Sequence, residues 1–133
     1  MAEGRKPPRT PRAAAGQAAE DAAAHFLESQ HCTILTRNYR CRSGELDIVA
    51  EAPDGVVLIA EVRLRASNRY GGSAASVDWR KQRRIGRATG HLLARHPALA
   101  RRALRFDVLA LQPDPAGGYL VEWIRHAFEV GQR

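Results

Sequence analysis

The chain has 133 residues, 44% of them hydrophobic, which is enough for one ordinary core in a single small domain. No apolar run approaches a membrane span, and the start, Met1-Ala2-Glu3-Gly4, lacks the apolar stretch of a secretion signal, so a cytoplasmic protein with no membrane partner is expected. The formal net charge of +7 points instead to a polyanionic partner, nucleic acid first. Cys32 and Cys41 have no CxxC spacing and read as reduced thiols, and the scattered histidines argue against a zinc site.

Part of the charge is N-terminal. Arg5, Lys6, Arg9 and Arg12 outnumber Glu3, and Pro7, Pro8 and Pro11 oppose regular structure, so residues 1–12 read as a disordered basic tail ahead of one domain over 13–133. A helix follows from about Ala13 to His31. Ala15, Ala19, Ala22, Ala23, Phe26 and Leu27 cluster on one side of its wheel, with Gln17, Asp21 and Glu28 on the other. Glu20 lies at the edge of the apolar side, where a carboxylate is either a solvated flank or a site residue. Thr33 to Arg40 reads as a first strand. Arg37, Arg40 and Arg42 lead from it into a turn at Gly44, either as a phosphate-positioning approach or as a charged edge that discourages aggregation.

Two strands, Gly44 to Glu51 and Val56 to Arg65, flank the turn residues Pro53-Asp54-Gly55. Side chains alternate faces along a strand, so Asp47 lies with Glu45, Val49 and Glu51, and Glu61 with Val57, Ile59, Arg63 and Arg65. A loop of three or five residues pairs odd positions with odd ones and sets Asp47 across from or diagonal to Glu61; a two-residue turn at Asp54-Gly55 would put them on opposite faces. The longer loop is favoured, because it gathers Leu46, Ile48, Leu58, Val62 and Leu64 onto one apolar face. Like charges facing one another weaken a sheet. A divalent cation between them removes that penalty, and Mg²⁺ characteristically takes one or two carboxylates while keeping several waters.

Residues 66–75 are rich in glycine and small side chains and read as a mobile loop able to close over substrate. Ser76 or Asp78 then opens a helix that runs to about His96 and is stopped by Pro97. Its apolar stripe is Val77, Ile85, Ala88 and Leu92, and Lys81 falls in the same line, pointed at the sheet. Lys81 is then either a snorkelling side chain or a cation that reaches a phosphate or a carboxylate. Arg80, Arg83, Arg84 and Arg87 spread over the flank and outside, as a solvated face or a nucleic-acid footprint. Strands from Ala103 to Leu111 and from Tyr119 to Arg125 close the domain. Asp107 is expected to pair with Arg105 or another arginine, and Trp79 and Trp123 to pack rather than stack on bases. The order α-β-β-β-α-β-β describes an α/β domain with a mixed sheet flanked by helices.

An Asp on one strand with Glu-x-cation on the next resembles the signature of the PD-(D/E)xK nucleases, the restriction-endonuclease-like superfamily. A wider series, Gly16, Glu20, Arg37-Asn38, Gly44-Glu45-x-Asp47, Glu61-Val62-Arg63-x-Arg65, Tyr70-Gly71, Val77, Lys81, Arg105-Phe106-Asp107-Val108 and Ala127-Phe128, resembles the bacterial YraN family within it. The resemblance implies a restriction-endonuclease-like fold and a metal-dependent nuclease acting on phosphodiester bonds, of DNA ahead of RNA. It makes Asp47 and Glu61 ligands of Mg²⁺ or Mn²⁺, with the Val62 carbonyl and, through water, Glu20 completing the shell. Arg63 stands where the superfamily usually has lysine. Its guanidinium stays charged, so it can supply positive charge but cannot act as a base, a role left to the metal, the solvent or in part Lys81. Arg37, Arg40, Arg42, Arg65, Arg80 and Arg84 are the candidate nucleic-acid contacts. Resolvase relatives cut as dimers, so a homodimer is among the implied partners. A second reading is a non-catalytic nucleic-acid-binding module in which Arg63 pairs with Asp47 or Glu61 and silences the site. A third is an adaptor whose basic face meets an acidic protein.

Overall fold

The run Val57-Leu58-Ile59-Ala60-Glu61 is buried at every position, which is the signature of a strand covered on both faces, and the rest of the molecule is laid against it. The computed structural model describes residues 11–65 and 77–130, the first five by their backbone alone. The loop expected at 66–75, with Tyr70-Gly71, lies outside the described residues, as does the expected tail over residues 1–10. The elements are α1 (Pro11–Ser29), β1 (Thr33–Cys41), β2 (Gly44–Glu51), β3 (Val57–Leu64), α2 (Trp79–Arg95), α3 (Pro97–Ala100), β4 (Leu104–Pro113) and β5 (Tyr119–Phe128).

The expected order holds, with the four-residue α3 added directly after α2. Proline both stops the first of these helices and suits the first position of the next. Arg12, expected in the tail, lies in helix α1. At its other end His31 takes a left-handed conformation (φ 67°), and Cys32 N–H returns to Leu27 O at 3.0 Å.

The five strands run β1-β2-β3-β4-β5 across the sheet. Only β3 and β4 are parallel; their connection carries α2 over one face, as a parallel crossover requires. Two apolar layers result. On one face Ala19, Ala23, Ala24 and Leu27 of α1 meet Ile48, Ala50, Leu58, Ala60, Leu109 and Leu111. On the other, Ile85, Ala88 and Leu92 of α2 meet Val49, Val57 and Ile59. Helix α2 is capped by Asp78, whose carboxylate accepts from Arg80 N–H at 2.7 Å.

The β2–β3 register is the expected one. Val49 pairs with Ile59 and Glu51 with Val57, so odd positions face odd ones across a five-residue loop, Ala52 to Val56. Ala52 N–H bonds Val56 O at 2.9 Å, and Gly55 closes the loop with φ 94°. The single continuous apolar face does not form, however. Leu46 packs in the α2 layer beside Val49, and Leu64 is exposed. The reason is that the β2–β3 ladder ends at Ile48–Ala60, while β2 continues to Gly44 paired with β1 through Tyr39–Leu46 and Arg40–Glu45.

Candidate active site

Asp47 and Glu61 stand where the β2–β3 ladder stops. The next backbone donor of β3, Val62 N–H, bonds the Asp47 carboxylate (Oδ2, 2.9 Å) in place of a strand carbonyl. Glu61 is 4% exposed. Its Oε2 is met by the Lys81 ammonium, delivered from the first turns of α2 by the Val77–Ile85–Ala88–Leu92 stripe. That oxygen has no other donor among the described residues. The Asp47 carboxyl is pushed up to about 7, first by burial and then by the neighbouring Glu61 charge; Val62 N–H and Lys81 pull the other way.

Glu20 approaches from α1. Asn38 Nδ2 donates to its Oε1 at 2.8 Å, and Arg37 Nη2 reaches the same oxygen at 3.4 Å and Asp21 Oδ1 at 2.6 Å. Burial raises the Glu20 carboxyl, the Asn38 hydrogen bond lowers it, and the Asp47 charge raises it again, so the two carboxylates sense each other. Asn38 holds its position with φ 52°, a conformation asparagine tolerates better than most residues. Its role as a clamp on Glu20 had no pattern to betray it beyond the Arg37-Asn38 pair itself.

Beside the acidic pair lies an open groove of about 450 Å³ between the β1–β2 turn and α2. Arg40, Arg42, Lys81 and Arg84 line it together with Glu45, which pairs with Arg40 at 3.4 Å. Gly44 makes this close fit possible: a Cβ there would lie 2.6 Å from Arg84 O. Three of the arginines named as nucleic-acid contacts thus converge with Lys81. The others do not. Arg37 is committed to Glu20 and Asp21, Arg65 lies at the far end of β3 beside Gln112 and Glu122, and Arg80 leans on the Trp79 ring. Arg63 is half-buried and has no hydrogen-bond or ion-pair partner among the described residues; it touches neither Asp47 nor Glu61.

Asp107 has the expected structural job. It is fully buried, takes both Arg105 Nε (2.9 Å) and Nη2 (2.8 Å), and also accepts from Trp123 Nε1 (2.8 Å) and His126 N–H (3.0 Å). Trp123 packs edge-on against Phe26, as expected. Trp79 does not pack: it is 58% exposed. It sits at the first helical position, roughly opposite the Ile85–Ala88–Leu92 stripe on the wheel, so the core lies on the other side of the helix from it.

The donor set fits a hard divalent ion held largely by water. Two carboxylates from adjacent strands converge, and one buried oxygen has a single ammonium contact. The described residues contain no cluster of three or more His, Cys, Asp or Glu side chains placed to form a cage, and Glu20 is turned to Asn38 and Arg37. Val62 enters the site through its N–H.

Fold and site together define an α/β protein with a five-stranded mixed sheet, a buried acidic pair at the end of one ladder, and a cation-lined groove beside it. The chain belongs to the Uncharacterised protein family UPF0102, the YraN family, whose model matches residues 19–111. It is 45% identical over 113 residues to a UPF0102 protein of Alcanivorax borkumensis, covering 85% of this chain and 90% of that one. A second relative, from Cupriavidus taiwanensis, is 46% identical over 120 residues, covering 90% and 86%. Among solved structures, Pyrococcus furiosus SfsA in complex with Ca²⁺ aligns with 14% identity and a TM-score of 0.37; the match covers 83% of this chain and 62% of that one. No helix among the described residues is long and apolar enough to cross a membrane.

Proposed function

We propose that this chain is a Mg²⁺- or Mn²⁺-dependent nuclease of the PD-(D/E)xK type that hydrolyses phosphodiester bonds in DNA. The observation that carries the reading is the buried Asp47–Glu61 pair, placed where a backbone ladder ends and joined through Lys81 to a groove with four cations and one carboxylate in its lining. A buried pair of carboxylates is costly to keep unless something uses it, and the raised Asp47 carboxyl measures that cost. Asp47 and Glu61 would hold the ion. When bound it supplies Lewis acidity to the scissile phosphate and lowers the pKa of water.

The remaining work falls to side chains. Arg40, Arg42 and Arg84 position the phosphate backbone along the groove. Lys81 pairs with Glu61 and orients it from α2. Arg63, which has no hydrogen-bond or ion-pair partner among the described residues, would help to offset the charge that develops on the phosphate. That Arg63 forms no ion pair with either carboxylate supports this reading over a relic silenced by such a salt bridge.

The test is cleavage of four-way-junction, flapped and single-stranded DNA in Mn²⁺ by the full chain, alongside Asp47→Ala and Arg63→Lys. Cutting should vanish with Asp47→Ala and be preserved or raised with Arg63→Lys. Cutting that survives Asp47→Ala, or proceeds equally in EDTA, would overturn the proposal.

A further inference from the structure

A solitary exposed aliphatic residue means little, but an exposed tryptophan with two guanidiniums beside its ring is a different matter. Trp79 is the most exposed of the large hydrophobic residues described. The Arg80 guanidinium lies 5.4 Å from its ring centroid and that of Arg83, one turn on, 5.7 Å. Both are within the range of a cation–π contact, which steadies an indole without covering it. At about 100° per residue, Lys81, Arg84, Arg80, Arg83 and Trp79 follow one another in a single sense around α2. A band of positive charge therefore leads from the groove and Glu61 over the helix to the indole. The path runs nearly half-way round a helix about 10–12 Å across, on the order of 15 Å, or roughly four to five nucleotides at the ~3.4 Å rise of a stacked strand.

We infer that Trp79 is a stacking platform for an unpaired base, so that the substrate is nucleic acid with a single-stranded segment a few nucleotides from the phosphate held at Asp47 and Glu61. Cations track a backbone of any sequence, whereas an indole face is useful only to a base whose own face is open. In a duplex that face is already stacked on its neighbours. Trp79 and its two arginines thus discriminate by strandedness, and without reading sequence. The inference rests on the nucleic-acid reading above, although not on cleavage.

The experiment measures binding of a labelled single strand and of a blunt duplex of equal length, by fluorescence anisotropy in EDTA, with the full chain and its Trp79→Ala and Trp79→Phe variants. EDTA keeps the measurement separate from cleavage. Trp79→Ala should weaken single-strand binding about five- to 150-fold, the range that loss of one base–aromatic stack produces. It should change duplex binding less than about twofold and leave the salt dependence alone, since no charge is removed. Trp79→Phe should recover most of the loss, because a smaller aromatic face still stacks. Equal losses on both substrates, or none on the single strand, would overturn the inference while leaving the nuclease reading in place. Failure of the unmodified chain to bind either substrate would sink both together, and binding without metal-dependent cutting would sink the nuclease reading alone.

Discussion

Replacing Asp47 by asparagine should make the metal-free protein more stable at neutral and alkaline pH, the opposite of what removing a buried charge contact usually does. The Asp47 carboxyl moves from 3.8 to about 7 on folding, because burial and the Glu61 charge outweigh Val62 N–H and Lys81. At about 1.36 kcal/mol per pH unit, keeping Asp47 ionised costs the folded state on the order of 4 kcal/mol. Between roughly pH 4 and pH 7 the folded chain keeps a proton that the unfolded chain has released. The stability contributed by the protonated form is therefore complete below about pH 4 and is lost as the pH rises to about 7. Asparagine retains an acceptor for Val62 N–H and never ionises. Urea unfolding in EDTA from pH 5 to pH 8 reads this directly: relative to Asp47→Asn, the unmodified chain should lose about 3 kcal/mol across the range and be the less stable of the two at pH 8. Saturating Mn²⁺ should reverse the order at pH 8, since only the unmodified site binds it well. Stability curves that stay parallel from pH 5 to pH 8 would refute the reasoning.

Two further perturbations test the scaffold around the site. Asp107→Ala strips four hydrogen bonds from a fully buried position and leaves the Arg105 guanidinium uncompensated, so it should cost about 3–5 kcal/mol by urea unfolding; a loss below about 1 kcal/mol would contradict the assignment. Gly44→Ala brings a Cβ to 2.6 Å from Arg84 O and should cost about 1–3 kcal/mol as the β1–β2 turn is forced off α2. Gly90→Ala is the control: nothing lies within 4 Å, and a mid-helix alanine there should be neutral or stabilising.

Much of this arrangement was legible in the sequence because it follows from short-range periodicity. The Asp47–Glu61 juxtaposition needed only the period of two and a loop of three or five residues in place of a two-residue turn, and the loop that forms has five. Lys81 could be aimed at the sheet from its place in the Val77–Ile85 line, and Asp78 is the cap it resembled. What escaped depends on where a ladder ends. Leu46 alternates correctly with Ile48 on paper, yet β2 has left β3 by that point, and nothing local marks the departure. Arg37 looked like a phosphate contact because its strand is basic; its partners Glu20 and Asp21 lie one element earlier and meet it only through packing. Trp79 was expected inside because tryptophan usually is, but the first position of a helix faces whatever the cap leaves open.

The same chain holds two buried carboxylate sites, and the cation it sets against each separates their roles. Asp107 faces an arginine. The guanidinium fork takes both carboxylate oxygens, indole and backbone N–H groups add further bonds, and no lone pair is left facing open space for a ligand. Glu61 faces a lysine. An ammonium is a compact point charge that stabilises the ionised carboxylate through one oxygen without forming a fork. An arginine reaching Glu61 as Arg105 reaches Asp107 would close the acidic pair in the same way, and Asp47 would then need no raised carboxyl. Arg63, two residues along β3, is well placed in sequence to do so and makes no such contact. The cation at Glu61 comes instead from a helix on the far side of a crossover, at the cost of leaving two carboxylates only partly neutralised. That deficit of positive charge, next to a groove with an excess of it, is what a divalent cation and a phosphate together would balance.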